Sequence, residues 1–124
     1  MLSSTPLLVA ALAGAAFGKL HTICGCQKWS DGPMHNDATI TLGNSGCTPW
    51  VFAPVNFQGV SQNSVFQATG PVRFEGVYLQ DIGGGKVMDG HTVYKYCKRA
   101  GAGDSACFEC GSIQQNANGK FQCN

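Results

Sequence analysis

The 124-residue chain sets eight Lys and Arg against seven Asp and Glu, a formal charge of +1, and carries 17 glycines and seven cysteines. So even a balance excludes the broad basic footprint of a nucleic-acid or membrane-surface binder. The length suits one domain, and a glycine-rich chain of this size has so little stability to spare that cross-links matter, each disulfide contributing about 2–4 kcal/mol.

Leu7 to Phe17 is an apolar run too short to cross a bilayer, followed by Gly18 and the first charged side chain, Lys19. Ala16 and Gly18 put small residues at the two positions a signal peptidase reads. Residues 1–18 are therefore expected to be a cleaved secretion signal, and residues 19–124 a single cysteine-rich domain that is extracellular; the bland alternative is a buried N-terminal helix. No Asn-X-Ser/Thr sequon occurs.

Leu20 to Gln27 alternates so that Leu20, Thr22, Cys24 and Cys26 share one side of an edge or second strand. Trp29 to Asn36 reads as a turn-rich loop. Asn36 or Asp37 is then placed to cap a short helix through Leu42, against the β-branched run Thr39-Ile40-Thr41, and Gly43 to Gly46 ends it. Trp50 to Phe57 is apolar enough to supply core, while Pro49 and Pro54 confine it to an irregular or edge strand. Val65–Thr69 and Val72–Leu79 read as successive strands broken by Gly70-Pro71. After the flexible turn Gly83–Gly85, Asp89 suits the N-cap of a second helix whose Val93, Cys97 and Ala100 share a face. Lys95, Lys98 and Arg99 then fall near the negative end of its dipole, and Gly101 is the left-handed stop. Ser112–Gln115 and Lys120–Cys123 flank Asn116–Gly119 as a terminal hairpin. The order gives an α+β domain with an antiparallel sheet and one or two short helices, stapled by disulfides.

Cys107-X-X-Cys110 has the spacing of a zinc or redox pair, yet a structural zinc site needs a second matching pair, and Cys24-X-Cys26 is one residue short. Neither metal nor cofactor is expected. Cys24, Cys26, Cys47, Cys97, Cys107, Cys110 and Cys123 are instead expected to form three bridges of undetermined pairing, the odd thiol being buried or free to link a disulfide dimer. Arg73 and Glu75 lie on one face of an extended strand, and with His91 or His35 they assemble the side chains of a secreted ribonuclease. There a carboxylate takes the 2′-hydroxyl proton, a histidine protonates the leaving oxygen and arginine holds the phosphate. The bland reading is a solvated strand face and a surface histidine, with no catalytic residue at all. An antimicrobial or killer-toxin-like role is disfavoured by the charge of only +1.

The signal followed by Cys24-Gly-Cys-Gln27, Asn36-Asp-Ala-Thr39, Asp89-Gly ahead of Tyr94-Lys-Tyr-Cys97, and Gly103-Asp-Ser-Ala-Cys-Phe-Glu-Cys110 resembles the small secreted cysteine-rich proteins of filamentous fungi, many regarded as candidate effectors in virulence. The resemblance implies extracellular delivery and non-enzymatic binding of a host or microbial protein or glycan. Some fungal secreted proteins of this size adopt a killer-toxin-like α/β sandwich, which would agree with the element order.

Overall fold

Five successive buried residues, Ile23–Gln27, form the strand on which the sheet is built. A computed structural model describes residues 19–124, so the expected secretion signal at residues 1–18 lies outside the described residues. Within them the chain is an α+β domain held by three disulfides. In order its elements are β1 (Leu20–His21), β2 (Ile23–Gln27), α1 (Asn36–Asn44), β3 (Trp50–Phe52), β4 (Leu79–Asp81), β5 (Met88–Asp89), α2 (Gly90–Arg99), β6 (Asp104–Phe108), β7 (Ile113–Gln115) and β8 (Phe121–Cys123). The main sheet runs β3-β4-β2-β6, antiparallel throughout, and two-stranded ribbons β1-β5 and β7-β8 flank it.

β2 is the second strand, as expected, but it starts at Ile23: the chain bends at Thr22, leaving Leu20 half exposed while Cys24 and Cys26 are fully buried. The alternation along β2 separates two cores. Cys24 and Cys26 pack with Ala38 and Leu42 of α1, Val93 and Cys97 of α2, Trp50 and Leu79. Ile23 packs with Met34, Phe66, Tyr78, Phe108 and Phe121. Phe66 touches Tyr78, Phe108 and Phe121 at centroid distances of 5.8, 5.4 and 5.7 Å. Fully burying a ring of this size is worth about 1.5–3 kcal/mol, which is how an irregular layer holds its place without a strand ladder.

α2 begins and ends as its sequence dictates. Asp89 is the N-cap, its carboxylate accepting from the Thr92 amide at 3.3 Å and the Thr92 hydroxyl at 2.7 Å. At the other end Gly101 adopts φ 96°, so that its amide donates to the Lys98 carbonyl and the Ala102 amide to that of Cys97. This is the paired-bond termination that needs a left-handed residue, with Ala102 buried against the helix it closes.

α1 corrects the expected cap. His35 is the N-cap, its Nδ1 accepting from the Ala38 amide at 3.0 Å, because Asn36 spends its Oδ1 on the Val77 amide at 3.0 Å. The helix also runs past Leu42 to Asn44. The β-branched Thr39 is tolerated since its hydroxyl, wholly buried, accepts from the Cys26 amide at 2.9 Å and so ties α1 to β2.

The two expected strands Val65–Thr69 and Val72–Leu79 do not form. Only Phe66 and Gly76 exchange backbone bonds, at 2.8 and 3.0 Å, and Phe66 also bridges Phe121. Val72 closes a turn onto Thr69, and Val77 gives its amide to Asn36. Pairing resumes only at β4. Of the segment Trp50–Phe57, expected as an irregular or edge strand, only Trp50–Phe52 pairs, at the edge of the sheet, and the chain leaves the strand at Ala53-Pro54; the terminal hairpin closes through Asn116, whose Oδ1 accepts from the Asn118 and Lys120 amides.

The bridges are Cys24–Cys107, Cys26–Cys97 and Cys110–Cys123, with Cys47 exposed and free. Alkylation of the unreduced, purified protein followed by peptide mapping should recover those three linkages with Cys47 alone blocked, or Cys47 joining two chains. A Cys107–Cys110 linkage would contradict the structure.

Candidate functional site

A cleft of about 230 Å³ opens between β6 and the loop carrying Pro71, Arg73 and Phe74. All five residues of β6 line it, and the buried Tyr78 and Phe108 form its base. The Tyr78 hydroxyl donates to the Phe74 carbonyl at 2.6 Å, and burial pushes its phenol well above the usual tyrosine range, so it remains a neutral donor that pins Phe74. Gln27, Ser30 and Asp31 complete the lining at the Asp104 end, where Gln27 pairs with Asp104.

The turn that enters this end is unusual in two respects. The Gly32 amide donates to the Trp29 carbonyl at 2.9 Å, and Asp31, third in that turn, has φ 56°. It is the one non-glycine residue with positive φ among the described residues, in a position where glycine is the unstrained choice. Its carboxylate meets the Arg73 guanidinium at 3.3 Å, and that guanidinium also lies 5.2 Å from the Phe74 ring centroid. Both partners are largely exposed, so the ion pair does little for stability. Gly32 sits directly under the ring: a Cβ there would stand 2.4–2.7 Å from indole atoms of Trp29, so the exposed indole would have to swing outward. The indole rests on the glycine and leaves Trp29 60% exposed.

The residues read as ribonuclease candidates are not joined to one another. Arg73 pairs with Asp31; Glu75 pairs with Lys120 at 3.0 Å; His91 is exposed in the first turn of α2; and His35 has committed Nδ1 to its cap. Arg73 alone of these lines the cleft. A histidine–carboxylate contact does occur elsewhere, between His21 Nδ1 and Glu109 Oε1 at 2.8 Å, which spacing could not show because the partners are 88 residues apart. Cys107 and Cys110, whose spacing alone matches a metal or redox pair, belong to different bridges. Among the described residues no group of three or more His, Cys, Asp or Glu is placed to hold a metal ion.

No catalytic or metal-binding motif marks Trp29, Asp31, Asp104 or Ser105 in the sequence. Trp29-Ser30-Asp31-Gly32-Pro33 reads as a turn, and its signal was the large aromatic residue placed inside turn chemistry. Compared with family models, curated proteins and solved structures, the chain matches none. Three disulfides fit an oxidising compartment, and no helix among the described residues is long and apolar enough to cross a membrane.

The left-handed conformation at Asp31 generates a test. Asp31→Gly should leave stability within about 1 kcal/mol of the parent, whereas Asp31→Ala should fall about 1 kcal/mol or more below Asp31→Gly, since alanine keeps the Cβ penalty and loses the carboxylate. Denaturant unfolding of the three proteins decides it, and equal stability of the two variants would refute the strain.

Proposed function

We propose that the protein is a secreted, non-enzymatic binding protein, of the effector type, that recognises a host or microbial macromolecule through the face formed by Trp29, Arg73 and β6. The observation that carries this reading is the Trp29–Gly32 turn: a largely exposed tryptophan seated on a glycine, beside an aspartate held at φ 56° and facing Arg73. Strained backbone persists where the surroundings over-determine it, and such positions concentrate at binding and active sites. Tryptophan and arginine are the side chains that dominate binding energy at protein interfaces. The cross-linked scaffold supports the same reading, because a rigid surface loses little entropy on association. Extracellular delivery is favoured by the three bridges and the N-terminal sequence. The competing ribonuclease reading would need Arg73, Glu75 and a histidine to converge, and the ion pairs of Arg73 and Glu75 lead to different partners.

Fluorescently labelled protein should bind host or microbial cell surfaces saturably, in competition with unlabelled protein. Trp29→Ala should weaken that binding about 10-fold or more, as expected for an anchor worth over 1.4 kcal/mol, while Glu75→Gln and His91→Ala leave it unchanged. RNA cleavage above a reduced, heat-killed control, abolished by Glu75→Gln, would overturn the proposal in favour of the enzyme.

A further inference from the structure

The outer edge of β6 is open, and its backbone pattern shows what it offers. β6 has a neighbour on one side only, β2. Along an antiparallel pair, opposed residues alternate between those that exchange backbone bonds and those that direct their amides and carbonyls away from each other. Three observations fix which is which. Cys24 and Cys107, opposed and disulfide-bonded, have Cα atoms 4.0 Å apart, the close spacing of a pair that does not exchange bonds. Cys26, opposite Ser105, gives its amide to the Thr39 hydroxyl and takes the His35 amide on its carbonyl, both away from β6. Cys24 pairs with Leu79 of β4 on the far side.

It follows that Phe108, Ala106 and Asp104 turn their backbone groups toward β2, whereas Ser105 and Cys107 turn theirs outward. The Ser105 amide is taken by the Asp104 carboxylate at 2.8 Å. Among the described residues nothing accepts from the Cys107 amide or donates to the Cys107 and Ser105 carbonyls. Successive side chains of a strand face opposite sides, so a cleft lined by all five residues of β6 runs along this edge and not over one face.

We infer that the cleft takes an extended peptide segment of a partner protein, added to β6 as a fifth strand. This rests on the binding-protein reading above and names the chemistry of its ligand. Cys107 would exchange two backbone bonds with the segment and the Ser105 carbonyl would accept a third, the mode in which main-chain bonds supply affinity and alternate side chains supply specificity. Phe74 and Phe108 meet apolar side chains on one side of the segment. Asp31 and Asp104 against the single Arg73 leave the Asp104 end acidic, which favours a Lys or Arg there. A free segment fits better than a second copy, because the wall of Pro71, Arg73 and Phe74 stands beside the edge in every copy and would have to pass into its twin's cleft.

The test is selection of seven-residue peptides from a random displayed library on the folded, oxidised protein, with the reduced protein as counter-selection. Selected peptides should slow hydrogen exchange of the Cys107 amide about 10-fold or more. They should also lose at least about 10-fold in affinity when alternate amides are N-methylated, and compete with one another. Failure to recover binders, binders that leave the Cys107 amide exchanging as before, or oligosaccharides that protect the cleft instead would each overturn strand addition. Concentration-dependent protection of Cys107 without any peptide would overturn it in favour of self-pairing. If cell-surface binding is lost in Trp29→Ala while no peptide protects Cys107, the binding-protein reading stands and only its peptide ligand fails.

Discussion

Everything in this domain hangs on the way β2 is cross-linked on one face and packed on the other. Cys24 and Cys26 sit two apart, so both project to the same side of the strand, where one bridges to β6 and the other to α2. The backbone of Cys26 completes the arrangement by bonding Thr39 and His35, which anchors α1 beside α2. A single five-residue strand thereby fixes two helices and a neighbouring strand. These bridges close 83 and 71 residues of separation, which removes much of the freedom an unfolded chain of this size would regain.

The candidate site follows from that constraint. With Cys24 tied to Cys107 the register of β6 is locked, and the lock decides that Ser105 and Cys107 present their backbone groups outward. The other side of β2 carries the aromatic cluster, which holds the long loop from Ala53 to Tyr78 in place by packing and scattered hydrogen bonds. That loop delivers Arg73 and Phe74 opposite β6, and Tyr78 pins it there. The proposed binding face is thus made of one rigid edge and one loop, joined by the turn that holds Asp31 at positive φ.

What could be read from the sequence was whatever is decided within a few residues. The cap at Asp89, the stop at Gly101 and the hairpin around Asn116–Gly119 depend on local chemistry, and all three are present. The strands expected at Val65–Thr69 and Val72–Leu79 show the opposite case: their alternation is real, but the partner groups are Asn36, Phe121 and Thr69, not a continuous neighbouring strand. His35 replaced Asn36 as a cap for the same reason, since a demand 41 residues away claimed the asparagine. The candidate site was still less legible. Asp31 and Arg73, or His21 and Glu109, meet only after the fold has formed, and Trp29 within turn-forming residues looks like punctuation until its indole is seen resting on Gly32.

Native-state hydrogen exchange of the β2 amides tests the dependence of the domain on this strand most directly. The amides of Gly25, Cys26 and Gln27 should exchange only through global unfolding, with protection equal to the full unfolding free energy, while those of the β7-β8 hairpin open at lower cost. Exchange of the β2 amides as fast as that of the hairpin, or protection of them that survives replacement of Cys26 and Cys97 by alanine without loss, would contradict the account.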